Sequence, residues 1–277
     1  MRVKIFGTKD WTARTVNCCT GCSNNCRYCY AKGMAIRFKR VTAEEWPIER
    51  VRQRDVEMPQ GHYADRVMFP SSHDITPGNF EACMIVLNKL IQAENQVLIV
   101  SKPRYDIIRE ICQEFLEHRD HITFRFSIGA MNDEILKFWE PGAPSFKERL
   151  DSLRYAFCSG YKTSVSIEPM LDSDNVIDLI LAVEPFVNDA IWLGMMNHIR
   201  KNIIIDSAAM EAAVRRIEAG QAKERIKILH EVLKDNPKIK WKSCMKQVIG
   251  LPLNQEPGLD IYDKICRKTT RIIAQSV

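Results

Sequence analysis

Residues 17–30 read Asn17-Cys18-Cys19-Thr20-Gly21-Cys22-Ser23-Asn24-Asn25-Cys26-Arg27-Tyr28-Cys29-Tyr30. Five of the ten cysteines in the chain fall inside this loop, and the other five are scattered singly. A secreted disulfide scaffold is shorter and spaces its cysteines evenly. The N-terminus, MRVKIFGTKDW, lacks an apolar segment followed by a small-residue cleavage site, so secretion is not expected and a cytoplasmic location is. Crowded thiols without an export signal point to metal rather than to disulfides.

Within the loop, Cys22-x3-Cys26-x2-Cys29 places three thiols on a short irregular segment. Thiolate is the preferred ligand of iron–sulfur clusters, and three such ligands hold three irons of a [4Fe–4S] cube. The fourth iron is then open to a small molecule. The competing reading is structural zinc, with Cys19-x2-Cys22 and Cys26-x2-Cys29 as its two ligand pairs. That reading leaves the pattern of the rest of the chain unexplained. Cys18 and Cys19 lie outside the three-thiol spacing, and one of them is expected to point into the core. Cys83 and Cys112 fall on apolar helix faces and are expected to be core. For Cys158, Cys244 and Cys266 a core position is favoured over a catalytic one.

Working outward, short β-branched runs alternate with helical patterns. The strand candidates are 15–19, 66–70, 97–101, 122–128, 163–168 and 190–194, with 239–243 as a weaker seventh. Between them, 78–93 and 105–117 show the 3.6-residue apolar period, and 206–235 reads as one long helix or two. Alternation of this kind means βα units and a mostly parallel sheet. Six or seven units suit an α/β fold of the incomplete (β/α)6 barrel type or a doubly wound sheet, both of which bind ligands at the C-terminal ends of their strands. No Pro/Gly/Ser-rich linker divides the chain. One domain over 1–277 is expected, with a core of about 15–200 and an α/β extension over 200–277.

The chain has 277 residues and a net charge of +5. Residues 1–40 carry nine Lys/Arg and one acid, and 200–246 carry twelve Lys/Arg and six acids. Such segments suit a phosphate backbone or simply a solvated surface. No apolar run of about 18 residues is present to cross a membrane. There is no phosphate-binding Gly-rich loop and no G-x-S-x-G.

The Cys22-x3-Cys26-x2-Cys29 spacing, with Tyr28 ahead of the last cysteine, resembles the radical SAM superfamily. Over about 15–170 the chain is similar to the spore photoproduct lyase-like group within it. The matching stretches are Cys26–Ala31, Ser71–Ile75, Val100–Lys102, Phe124–Ile128, and Glu140–Pro144 with the later Arg149. The resemblance implies a [4Fe–4S] cluster and S-adenosyl-L-methionine as cofactors, an external electron donor of flavodoxin or ferredoxin type, and hydrogen abstraction by a 5′-deoxyadenosyl radical. It also implies that Tyr28 and Tyr30 contact adenosine, Lys102 the cofactor carboxylate, Ser127 a ribose hydroxyl, and Asp74 the amine or ribose. Glu168, at the rim after the fifth strand, joins them. Arg125 and Arg149 are candidates for a carboxylate or salt-bridge role.

One departure limits the analogy. The lyase has a cysteine that returns a hydrogen atom to the product radical, and Ser71 stands at that position. A serine O–H bond is far stronger than a thiol S–H bond, so dimer reversal is not expected. A related reaction on DNA, RNA or a nucleotide is. The alternatives are a radical SAM enzyme on a small metabolite or peptide, and a non-catalytic metal-binding nucleic-acid module. Ser71 and His73 are the candidate catalytic side chains, although His73 beside Asp74 also suits a loop hydrogen bond. Trp11, Arg14, His73 and Trp139 are candidates for stacking against an extruded base.

Overall fold

The protein is described by a computed structural model covering residues 7–258. Cys266 lies outside the described residues. Seven parallel strands lie side by side in chain order: β1 (Arg14–Thr15), β2 (Val67–Phe69), β3 (Val97–Ser101), β4 (Ile122–Ser127), β5 (Lys162–Ile167), β6 (Ile191–Leu193) and β7 (Ile239–Trp241). Helices cross between them: α1 (Tyr30–Arg37), α2 (Phe80–Gln92), α3 (Tyr105–Glu114), α4 (Phe146–Cys158), α5 (Val176–Val183), α6 (Ala208–Gly220) and α7 (Lys223–Leu233), with α8 (Ser243–Ile249) after β7. The central strands are buried along nearly their whole length because helices cover one face and the opposite face is turned inward, where Arg125, Ser164 and Ser166 add buried polar groups to the apolar ones.

The sheet curls. Trp11 leads into β1 and Trp192 lies on β6, five strands away. A flat sheet at ~4.8 Å per strand would hold them roughly 24 Å apart. Their ring centroids are 6.1 Å apart, and they share a cluster with Met68 and Leu98. The Arg125 guanidinium lies 4.9 Å and 5.1 Å from the Trp11 and Trp192 ring centroids and pairs with Asp189 at 3.1 Å. Contacts between the two edges complete the curl. The Ser243 N–H and hydroxyl donate to Asp10 Oδ2 at 3.1 and 2.9 Å, and Lys242 Nζ donates to the Gly7 carbonyl at 2.6 Å. The architecture is a partial (β/α) barrel, with β7 supplied by the region after residue 200.

Two expectations need correction. The first strand ends at Thr15 rather than Cys19. Asn17 turns the chain off the ladder, because its side-chain oxygen accepts from the Ser71 and Ser72 N–H groups at 2.7 and 2.8 Å. Cys19–Thr20 then pairs antiparallel with Arg50–Val51 in a separate ribbon. Of the two readings left open for 206–235 the structure takes the two-helix one, with the break where the Gln221 side chain turns back to accept from the Met196 N–H. Cys158 is exposed at the end of α4 rather than in the core.

Candidate cluster and cofactor site

The C-terminal ends of β2 to β7, with the cysteine loop after β1, contribute to one cavity of about 690 Å³. Its wall includes Cys22, Cys26, Tyr28, Cys29, Tyr30, Ser71, His73, Asp74, Lys102, Ser127 and Glu168. The anticipated cluster and cofactor residues, with Ser71 and His73, thus face one space, although they come from five separate segments of chain.

The cysteine loop is held by close backbone approaches. Gly21 has φ +89°, and a Cβ there would come within 2.3 Å of the Ile48 carbonyl oxygen. The Cys22 N–H donates to the Trp46 carbonyl at 2.9 Å. Cys29 caps α1, its sulfur accepting from the Lys32 N–H at 3.4 Å. Burial pushes the Cys22 thiol up to about 12 and raises those of Cys26 and Cys29. Each would ionise readily only with a cation beside it.

The Glu140-Pro141-Gly142 segment supports this loop from below. The Gly142 N–H donates to the Asn24 carbonyl at 3.1 Å, and a Cβ at Gly142 would lie 2.1 Å from the Ser23 carbonyl oxygen. The Tyr28 hydroxyl donates to Glu140 Oε1. Glu140 Oε2 lies 2.6 Å from Arg149 Nη2, and both side chains are fully buried. Arg149 also donates from Nε to the Pro144 carbonyl at 2.9 Å and from Nη1 to the Ser127 carbonyl at 3.1 Å. Arg149 and Arg125 are therefore salt-bridge residues.

Asp74 ties three segments together. Its Oδ1 accepts from Ser101 Oγ at 2.8 Å and from the Lys102 N–H at 2.7 Å, and its Oδ2 accepts from Asn24 Nδ2 at 2.8 Å. Burial works to raise its pKa, but the Lys102 ammonium and these three donors hold it below the usual carboxylate range. Lys102 Nζ lies 3.8 Å from Asp74 and 4.0 Å from Glu140, beyond direct hydrogen bonding to either. Burial opposes its charge, yet Cys26, Tyr28 and the two carboxylates hold its pKa well above the usual lysine value. Across the cavity, Glu168 Oε2 lies 3.2 Å from Lys242 Nζ, which also faces Asp10 at 3.4 Å. Burial raises the Glu168 pKa against the pull of Lys242. Gly194 makes room for Glu168, since a Cβ there would meet its Cγ at 2.7 Å.

Ser71 and His73 are engaged in holding the loop. Ser71 Oγ accepts from Asn17 Nδ2 at 2.9 Å, and its carbonyl accepts from the Tyr30 hydroxyl at 2.5 Å. His73 Nε2 accepts from the Cys18 N–H at 3.2 Å, and Nδ1 lies 3.0 Å from the Asp74 carbonyl. Those partners select the neutral Nδ1–H tautomer. Trp11 lines the cavity, Trp139 is buried beneath the loop, and Arg14 stacks on Tyr63. Cys18 is buried with its sulfur 3.7 Å from that of Cys83, and Cys112 is buried as well.

Several residues in or beside the cavity wall escaped the sequence reading, Asn24 among them, which sits behind the wall on Asp74. Asn24, Ser101 and Lys242 act through partners remote in the chain. Cys244 lines the same wall. The strand-then-polar pattern of 239–243 was the signal for Lys242, because residues just after parallel strands face the site.

The model of the radical SAM superfamily matches residues 16–184, more than half of the chain. The chain belongs to the radical SAM superfamily. Radical SAM proteins use a [4Fe–4S] cluster and S-adenosylmethionine, and they need an electron donor. This radical SAM chain is similar in fold to a spore photoproduct lyase variant with dinucleoside spore photoproduct, at TM-score 0.53, 16% identity, and 82% and 75% coverage of the two chains. Streptococcus suis SuiB bound to S-adenosylmethionine matches at TM-score 0.52 and 10% identity, covering 89% of this chain and 54% of that one. Uncharacterized protein ORF301 of Acidianus two-tailed virus is 25% identical over 173 residues, 58% of this chain and 57% of its own length. No described helix is long and apolar enough to cross a membrane.

Proposed function

We propose that Cys22, Cys26 and Cys29 hold three irons of a [4Fe–4S] cluster, and that the protein cleaves S-adenosylmethionine reductively to act on a nucleic acid or nucleotide. The observation that carries the proposal is the sharing of one cavity by two buried thiols and a half-buried one, the Lys102 ammonium, and the hydroxyls and carboxylate expected around the cofactor. The donor set and the space fit the two groups. The thiols suit iron, and the volume lies within the range of ligand pockets. Among the described residues no three His, Cys, Asp or Glu side chains converge on a single-ion site. A cube takes one thiolate per iron and asks for no such convergence.

The reduced cluster, when bound, supplies the electron that cleaves the cofactor sulfonium, and the 5′-deoxyadenosyl radical takes a hydrogen atom from substrate. The protein's part is positional. Lys102, with its donors free of Asp74 and Glu140, pairs with the cofactor carboxylate. Asp74 fixes the Lys102 backbone and the cysteine loop at once. Tyr28, braced by Glu140, and Tyr30 flank the adenosine, while Ser127 and Glu168 offer polar contacts from the opposite rim. Trp11, Met68, Val100, Met195 and Met196 form apolar walls that keep water from the reacting centre.

The substrate reading rests on the mouth. Asn197, His198, Asn202 and Gln247 line it with hydrogen-bonding groups. Inside, Asp74 and Glu168 offset Lys102 and Lys242, so no acidic field repels phosphate. Aromatic and apolar walls with amide edges suit an unstacked base.

Anaerobic reconstitution followed by iron and sulfide analysis tests the first half. About four irons per chain, with 5′-deoxyadenosine release, is expected. Cys22→Ala, Cys26→Ala and Cys29→Ala should each abolish both, and retained cleavage in any of them refutes the ligand set. One zinc per chain and no cleavage would overturn the enzyme itself. For the substrate, 5′-deoxyadenosine release should rise with added DNA, RNA or nucleotide. A rise with a peptide or metabolite alone would replace that class.

A further inference from the structure

The helix that follows Cys29 has two unlike faces. Its inner face carries Ala31 and Ala35, which are buried with Cys22, Val41 and Trp46, and Cys29 packs against the same group. Two alanines on this face let α1 lie close on the cysteine loop. One helix thickness therefore separates the loop from the solvent beyond. The outer face, with the turn over 38–40 that follows the helix, is apolar and basic. Met34 is 46% exposed and Phe38 54% exposed, and every residue of Ile36-Arg37-Phe38-Lys39-Arg40 is exposed. The Arg37 and Arg40 guanidinium carbons lie 5.9 and 5.5 Å from the Phe38 ring centroid. Residues 27–40 hold five Lys/Arg and no Asp or Glu.

We infer that this outer face of α1 is the docking surface for a small acidic electron-carrier protein. The inference rests on the cluster assignment proposed above. Two observations favour a reductant over a nucleic-acid strand. The patch starts on the face of α1 opposite Ala31 and Ala35, which pack with Cys22 and Cys29, so a partner seated on it addresses the cluster through one helix. It also lies at the C-terminal end of α1, two helical turns or roughly 12 Å from Tyr30 at the cavity mouth, and so leads away from the substrate opening. An exposed aromatic among cations suits a transient redox encounter, which needs only a small interface and is steered by charge. In the encounter one electron leaves the carrier, which is oxidised, and enters the cluster, which is reduced. No atom or proton changes hands.

The test uses the double variant Arg37→Glu with Arg40→Glu and reduced flavodoxin as the acidic probe. Both residues lie outside the cavity wall. Flavodoxin affinity, read by calorimetry at low salt on reconstituted and on cluster-free protein, should weaken by at least about tenfold, and the wild-type affinity should fall steeply with added salt. Flavodoxin-driven cofactor cleavage should fall by a similar factor, while cleavage driven by dithionite and the iron content stay within about twofold of wild type. Phe38→Ala should repeat the pattern with a smaller salt dependence. Undiminished flavodoxin binding overturns the proposal, as does equal loss with both reductants, which would make α1 a structural element of the cluster site. Loss of oligonucleotide binding with flavodoxin binding intact would reassign the face to nucleic acid. Binding by the cluster-free protein reads the docking separately, so failure of the cluster assignment is seen as missing iron and not as missing affinity.

Discussion

Removing one member of the Glu140–Arg149 pair should damage the protein more than removing both. Neither side chain has measurable contact with water, and Arg149 is 0% exposed. Glu140→Gln keeps the shape of the side chain but leaves the guanidinium without its carboxylate. Breaking a buried pair in this way costs about 3–5 kcal/mol, a large part of the roughly 5–15 kcal/mol that holds a typical domain folded. At roughly 2–4 °C per kcal/mol for a chain somewhat smaller than this one, the midpoint of thermal unfolding should fall by roughly 6–20 °C. Replacing Arg149 by Met in the same protein removes the uncompensated charge. What is then lost is the two bonds from Arg149 to the Pro144 and Ser127 carbonyls, about 1 kcal/mol each, so the double variant should sit only about 2 kcal/mol below wild type. Arg149→Met alone should be milder than Glu140→Gln, because Lys102 Nζ, 4.0 Å from Glu140, remains as a counter-charge. Anaerobic thermal and urea unfolding of the four proteins, followed by circular dichroism, closes the cycle. A Glu140→Gln protein within 1 kcal/mol of wild type, or a double variant less stable than both singles, would refute the reasoning.

Other outcomes follow from the same geometry. The depressed pKa of Asp74 means that its ionised form is favoured by folding, so its contribution is present above about pH 4 and is lost as the pH falls through the folded value. The stability gap between wild type and Asp74→Asn should hold at neutral pH and close in acid, and a gap that widens in acid would contradict the assignment. Gly142→Ala should cost about 1–3 kcal/mol and lower the iron retained after reconstitution, because its methyl group would press on the Ser23 carbonyl at 2.1 Å. Gly33→Ala, which meets nothing within 4 Å inside α1, is the control and should stabilise by up to about 1 kcal/mol. Ser71→Cys should leave cofactor cleavage within about twofold of wild type, since most of its contacts run through its backbone; complete loss would place Ser71 at the cofactor instead.

Besides the Arg125–Asp189 pair, two groups of buried charges stand around the cavity. Tyr28, Glu140, Arg149, Asp74 and Lys102 brace the cysteine loop and the end of β3. Asp10, Lys242 and Glu168 join the first and last edges of the sheet. Each group is a network whose members come from distant parts of the chain, and its cost in desolvation is offset only when all members are present. Both networks therefore hold the partial barrel in one shape around the space where radical chemistry would need to exclude water.

The chain order alone was enough to read the parallel sheet, the cysteine loop after the first strand and the set of residues at strand ends. Those features follow from local rules, namely apolar period, strand-to-helix alternation and thiol spacing. Lys102, Ser127 and Glu168 were legible for this reason, since each follows or ends a strand whose apolar pattern marks it. The curl that brings Trp11 to Trp192 was not legible, because nothing local states how far a sheet twists before its edges meet. Nor were the partners of Asp74 and Glu140. A carboxylate in a loop looks alike whether it caps its own backbone or, like Asp74, binds donors 27 to 50 residues away. Asn17 shows the same limit, since its ability to end β1 depends on Ser71 and Ser72 standing opposite it. Local sequence thus determined which residues were available for the chemistry. Only the tertiary structure decided which of them meet, because their pairing is set by the packing of strands far apart in the chain.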